Sequence, residues 1–146
     1  PGLRSLDKYA VTAGGGINHR RNLSDGILIK DNHITVLQSK GLDIEQIVQK
    51  ARNDAPHTLK IEVEVETLEQ VESAIKGGAD ILLLDNMSTE TMRRSVELCY
   101  GKCLTEASGG ITLNNVIDVA ETGVDMISIG AITHSVRALD ISLDME

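Results

Sequence analysis

Five short apolar runs at nearly even spacing constrain this chain more than any other feature of its sequence. GILIK (26–30), IEVEV (61–65), DILLLD (80–85), CLTEAS (103–108) and DMISIG (125–130) are short and rich in Ile, Leu and Val. Runs of this length and composition read as buried parallel strands. The last four reach Glu64, Asp85, Ser108 and Gly130 at their ends, so the successive steps are 21, 23 and 22 residues. One strand, one helix and two short loops fill such a step. Its repetition predicts a parallel sheet with helices packed on it.

The intervening segments carry helix patterns. After Asp43, the residues Ile44, Ile47, Val48 and Ala51 share one face. Thr67-Leu68-Glu69-Gln70 reads as a capping box, and Gly77-Gly78 as the matching stop. Met92 and Val96 follow Ser88; Val116, Val119 and Ala120 follow Thr112 and stop at Gly123. No linker or low-complexity stretch interrupts the series, so residues 1–146 are expected to form one α/β domain. The sheet could be open and doubly wound, or curved towards a barrel. A closed barrel takes eight β/α units and about 250 residues. Five units therefore predict an incomplete, open TIM-like β/α barrel that lacks its first strand or strands. A chain that begins at Pro1 instead of Met fits that expectation of a fragment.

Composition removes several functions. The 14 Lys and Arg against 22 Asp and Glu leave a net charge of −8, and Tyr9 and Tyr100 are the only aromatic residues. A nonspecific nucleic-acid binder needs cations for phosphates and rings for bases, so nucleic acid is excluded as a partner. No apolar run approaches a membrane span, and PGLRSLDKYA at the front lacks the apolar core of a secretory signal. The expectation is a cytoplasmic protein without a membrane partner. Cys99 and Cys103 have no second ligand pair or nearby histidine, and read as two reduced, partly buried thiols.

Either closure binds ligands beyond the carboxyl ends of its strands. Those ends deliver Lys30-Asp31-Asn32-His33, Glu64 and Glu66, Asp85-Asn86, Ser108-Gly109-Gly110 and Gly130-Ala131. In KIEVEVE, the residues Lys60, Glu62, Glu64 and Glu66 share one face. That row is either the solvated face of an edge strand or a set of carboxylates aimed into a site. In the second case Glu64 and Asp85 could hold Mg²⁺, which takes a few carboxylates together with substrate phosphate oxygens. Ser108-Gly109-Gly110 and Gly130-Ala131-Ile132-Thr133-His134 are each expected to open a helix, where backbone N–H groups can meet a phosphate. A tight βα turn would explain the same glycines. Gly14-Gly15-Gly16 before Asn18-His19-Arg20-Arg21 could cradle an anion or form a flexible loop. His33 and His57 read as ordinary polar loop residues.

Together, PGLRSLDKYAV (1–11), GGGINHR (14–20), LIKDNHI (28–34), KIEVEVETLEQ (60–70), LLLDNMS (82–88), EASGGIT (106–112) and SIGAITHSVRALDISLD (128–144) resemble the C-terminal barrel domain of the quinolinate phosphoribosyltransferase family. The family is also called nicotinate-nucleotide pyrophosphorylase (carboxylating). The resemblance implies transfer of phosphoribose from phosphoribosyl pyrophosphate to quinolinate with decarboxylation. The products are nicotinate mononucleotide, pyrophosphate and CO₂, in NAD biosynthesis. It implies that His19 and Arg20 bind the quinolinate carboxylates and that Lys30 contacts substrate. Glu64 and Asp85 would bind the ribose-phosphate side and its Mg²⁺, and with Lys30 they are the catalytic candidates. Ser108, Gly109, Gly110, Gly130, Ala131 and His134 would hold the 5′-phosphate. It further implies an N-terminal α/β domain, a homodimer, and an Arg-Lys pair just before the PGLR motif. A chain without those parts is expected to be inactive alone. Two alternatives remain open at this point: a related phosphoribosyltransferase acting on another base, and a non-catalytic, barrel-like phosphate-binding or assembly domain.

Overall fold

The computed structural model describes residues 2–135 and 140–145; Pro1, positions 136–139 of the final motif and Glu146 lie outside the described residues. Helix α1 (Arg4–Ala13) precedes β1 (Ile27–Ile29), and α2 (Asp31–Gln38) and α3 (Ile44–Asp54) lead to β2 (Ile61–Val65). Strict alternation follows: α4 (Leu68–Gly77), β3 (Ile81–Asp85), α5 (Thr89–Cys99), β4 (Leu104–Ser108), α6 (Val116–Ala120), β5 (Met126–Ile127) and α7 (Ala131–His134).

All five strands are parallel and lie in the order β1-β2-β3-β4-β5. That order decides between the two closures. A doubly wound sheet reverses direction at a switch point, whereas every crossover here advances the same way. Right-handed crossovers that all advance in one direction place their helices on a single face. Accordingly α2 touches α3, α3 touches α4, α4 touches α5 and α5 touches α6. The sheet is the open α/β barrel expected from the strand spacing. Among the described residues, no helix is long and apolar enough to cross a membrane.

Alternation along each strand then sorts side chains between the two faces. Ile61, Val63 and Val65 of β2 and Leu82 and Leu84 of β3 are fully buried, and form one core with Val48, Val71 and Ala74 of α3 and α4. Each such aliphatic side chain contributes about 1.5–3 kcal/mol on burial. Gly77 lets the two helices meet, because a Cβ there would stand 2.7 Å from Val48 Cβ and 2.9 Å from the Glu45 carbonyl. The opposite face of the sheet carries Glu62, Glu64, Asp85, Glu106 and Ser108. β2 lies between β1 and β3, so its acidic row is not the solvated face of an edge strand.

Two aspartates tie strand starts together by the same device. Asp80 Oδ2, just before β3, accepts the Ile61 N–H at 2.7 Å and the Arg52 guanidinium, which also donates to the Gly78 carbonyl at 3.0 Å. Asp125 Oδ2, just before β5, accepts the Thr105 N–H at 2.7 Å and its hydroxyl at 2.8 Å. In each case a carboxylate satisfies a strand-start donor that the neighbouring ladder leaves open. Cys99 is buried and Cys103 half-buried, and both are free thiols as expected.

Local structure departs from the sequence reading in three places. Asp31-Asn32-His33 is the first turn of α2, and His33 caps it: the Lys30 N–H donates to His33 Nδ1 at 3.0 Å. Ser108-Gly109-Gly110 does not open a helix, because α6 begins only at Val116. Between them Asn115 holds a turn, accepting the Thr112 N–H at 2.7 Å and donating to the Gly110 carbonyl at 3.1 Å. Such side-chain-to-backbone bonding competes with helix formation. β5 spans only Met126–Ile127, shorter than the run 125–130.

Candidate active site

Strand register assembles one group of candidates at the carboxyl edge of the sheet. Ile29 pairs with Val63, which brings Lys30 level with Glu64. Glu64 pairs with Leu83, and Asp85, two residues further on the same face, pairs with Ser108. Glu64 therefore sits between a cation and a second carboxylate. Partial burial pushes its carboxyl above the ordinary value, Asp85 pushes the same way, and Lys30 opposes them. Two hard oxygen donors whose charges repel are a donor set that a divalent cation relieves, and Mg²⁺ fits their chemistry.

The β3 and β4 ends are locked together at Asn86. Its N–H donates to the Ser108 carbonyl at 3.1 Å and its side-chain amide to Asp85 Oδ2 at 2.7 Å. Asn86 is the only described non-glycine residue with positive φ, at 52°. Gly109 lies directly against it, with an added Cβ falling 2.3 Å from Asn86 Oδ1. Gly110 is exposed beside it.

The loop before β1 places His19 and Arg20. Lys8 Nζ donates to the Arg20 carbonyl, and the Asn18 amide donates to the Lys8 carbonyl at 2.9 Å, which ties this loop to α1. Arg20 lines a cleft of about 520 Å³ together with Arg4, Asp7, Lys8, Arg21 and Thr133. Four cations around one acid make it an anion site by charge. Thr133 brings α7 to the edge of this cleft, whereas Gly130, Ala131 and His134 of the same segment do not line it. The His134 ring packs over Gly130, where a Cβ would stand 2.8 Å from its Nε2, and Nδ1 meets Ser135 Oγ at 2.8 Å.

His19 stands apart from the strand-end group. Its Nε2 lies 2.9 Å from Glu62 Oε2 and 3.9 Å from Glu106 Oε1. A cavity of about 510 Å³ opens there, lined by Arg20, Lys60 and Asp125 among others. The hydrogen bond to Glu62 raises the His19 pKa above its ordinary value; partial burial and Arg20 oppose it, and the charges of Glu62 and Glu106 add to it. Burial raises the Glu106 carboxyl, although the Ser128 hydroxyl donates to it.

These directions have a consequence for stability. Both groups bind protons more tightly when folded, so their contribution is fully present below the unfolded values and is lost as pH rises through the folded ones. The melting temperature is expected to fall from about pH 6 to about pH 8 at constant ionic strength, as His19 loses its proton. His19→Gln should flatten that slope; a wild-type slope of opposite sign would contradict the His19 environment.

The sequence reading thus named the strand-end group and Arg20 with His19, and the structure places them in two neighbouring clusters. It missed Arg4 and Lys8 in the cleft, and Glu106 and Ser128 beside His19. Only alternation within EAS, which puts Glu106 on the face of Ser108, pointed to Glu106.

The family model "Quinolinate phosphoribosyl transferase, C-terminal domain" matches residues 1–144. The chain is 52% identical over 145 residues to the "Probable nicotinate-nucleotide pyrophosphorylase (carboxylating)" of Bacillus subtilis, covering 99% of this chain and 49% of that protein. It is 43% identical over 148 residues to the nicotinate-nucleotide pyrophosphorylase (carboxylating) of Mycobacterium leprae, covering 99% and 50%. The crystal structure of NadC from Streptococcus pyogenes superposes with a TM-score of 0.88 at 41% identity, covering 99% of this chain and 50% of that one. The chain spans about half the length of the curated relatives it matches.

Proposed function

The chain belongs to the quinolinate phosphoribosyltransferase C-terminal domain family, and from that membership we propose that it supplies the barrel domain of an enzyme joining quinolinate to phosphoribosyl pyrophosphate. The products are nicotinate mononucleotide, pyrophosphate and CO₂. The observation that carries this reading is the grouping of Lys30, Glu64 and Asp85 on adjacent strand ends.

Each part of the reaction has residues suited to it. Departure of pyrophosphate leaves positive charge at the anomeric carbon of the ribose, which the Glu64 and Asp85 carboxylates stabilise. The same pair would hold Mg²⁺, which neutralises pyrophosphate when bound. Ser108, Gly109 and Gly110, with Gly130, Ala131 and His134, offer N–H and side-chain donors to the 5′-phosphate. Gly109 and Gly110 do so from a turn and not from a helix N-terminus. His19 and Arg20 take the quinolinate carboxylates, Arg4 and Lys8 add to the positive field of the cleft, and Lys30 contacts substrate. Fixed cations there offset the negative charge that decarboxylation builds on the pyridine ring. The working form is a cytoplasmic homodimer.

Replacing Arg20 with Ala tests the assignment of the cleft in the intact protein. A charge-assisted pair lost at a carboxylate should raise the KM for quinolinate by about tenfold to a hundredfold and leave that for phosphoribosyl pyrophosphate nearly unchanged. Equal weakening of both substrates would mean that the carboxylate role is misassigned. An intact protein that forms no nicotinate mononucleotide would reject the reaction itself.

A further inference from the structure

We infer that Glu62 and Glu106 are positioning residues that act through His19: from β2 and β4 they grip one imidazole nitrogen, fix the ring, and keep both of its nitrogens as donors. The inference rests on the reading of His19 as a partner of a substrate carboxylate, and goes beyond it by assigning two residues that touch no substrate.

Burial is the first reason. The Glu62 and Glu106 side chains are 8% and 7% exposed, and carboxylates withdrawn from water this far are costly unless compensated. β3, between them, pairs Ile81 with Glu62 and Leu83 with Glu106, and its remaining residue on this face, Asp85, is itself a carboxylate, so the compensation comes from elsewhere. For Glu106 it is the Ser128 hydroxyl and, at 3.9 Å, His19. Among the described residues, for Glu62 it is His19 alone: Oε2 takes Nε2 at 2.9 Å, and Oε1 is buried without a described partner.

Imidazole chemistry is the second reason. A neutral ring whose Nε2–H donates to Glu62 presents a lone pair at Nδ1, which repels a carboxylate. Only the imidazolium presents a second N–H. One acid beside His19 orients the ring; two acids with one unshared oxygen also favour the second proton. The other charged groups around the cavity are Arg20, which opposes that proton, together with Asp25, Lys60 and Asp125. Among the described residues His19 Nδ1 has no hydrogen-bond partner, and the side chain is 33% exposed, so this nitrogen is available to a ligand.

The test uses the intact protein with Glu62→Gln, Glu106→Gln, His19→Gln and the double variant Glu62→Gln/His19→Gln. Glu62→Gln should raise the KM for quinolinate about tenfold and change that for phosphoribosyl pyrophosphate by less than about twofold. The double variant should be no worse than His19→Gln within about threefold, since Glu62 acts only through the ring. Nitrogen-15 NMR of His19 followed against pH should show both nitrogens staying protonated to higher pH in the wild type than in Glu62→Gln. Multiplying penalties in the double variant, equal loss for both substrates, or an unchanged His19 spectrum would overturn the inference. So would stabilisation of the wild type, but not of Glu62→Gln, by Zn²⁺ or Mn²⁺, because the three ligand atoms lie within 4.8 Å of one another. Should Glu62→Gln fail to fold, Glu106→Gln supports the same comparisons. If the wild type ignores quinolinate but the spectra change as expected, the functional reading fails and the clamp stands.

Discussion

Removing either strand-end charge, by Glu64→Gln or Asp85→Asn, is expected to lower kcat by about a hundredfold or more in the intact protein, with the fold preserved. The two carboxylates lie on neighbouring strands, face the same way, and already repel each other. Partial burial first, and this repulsion second, disfavour the ionised form of Glu64 on folding. Glutamine keeps the shape and removes that repulsion, so Glu64→Gln should melt no lower than the wild type. This pairing of lost turnover with unchanged or raised stability is what a charge kept for function produces. A structural carboxylate would give the reverse. Calorimetric titration with Mg²⁺ and phosphoribosyl pyrophosphate completes the test: both variants should lose most of the heat. If either one retains wild-type turnover, the carboxylates do not serve the reaction.

Gly109→Ala should be the most damaging single methyl group in the molecule. Gly109 has φ +85°, a conformation costing a side chain about 1–3 kcal/mol. The added Cβ would also fall 2.3 Å from Asn86 Oδ1 and 2.8 Å from the Asn86 backbone nitrogen. The side chain could swing, but the backbone nitrogen could not, because it is bonded to the Ser108 carbonyl. The Asp85–Asn86 turn must therefore move, and the metal-side carboxylate moves with it. Strain alone should lower the melting temperature by roughly 2–10 °C, and turnover should fall about tenfold or more. Gly110→Ala is the control. It has φ +60° but nothing within 4 Å of its Cβ, so it should share the strain and spare the turn. Equal losses of melting temperature at the two positions would show that backbone strain, and not the contact with Asn86, sets the loss of stability.

Much of this architecture is legible along the chain. The 61–65 run announces a strand because Ile and Val alternate with Glu, and the 80–85 run because four consecutive Ile and Leu residues stand between two aspartates; the strand ends announce a site because each carries a polar residue or glycine. The helix starts at Asp43, Thr67 and Ser88 are equally plain, since each side chain accepts the N–H three residues ahead. α2 was hidden because the donor-satisfying partner of its first turn is His33, not one of the usual capping residues. The turn at Thr112–Asn115 was hidden because Asn115 completes it only when the Gly110 carbonyl comes within reach.

Sequence alone determined the parallel β/α alternation, the face on which each strand residue lies, and the edge at which Lys30, Glu64, Asp85 and Ser108 collect. These follow from periods of two and 3.6 residues, which a chain carries in its local order. Tertiary structure alone decided that His19 lies against Glu62 and Glu106 and not among the strand-end residues, that Gly109 abuts Asn86, and that Arg4 and Lys8 join Arg20. His19 and Glu106 are 87 positions apart. No local periodicity relates them; only strand register and the anchoring of the 17–21 loop on α1 bring them within reach.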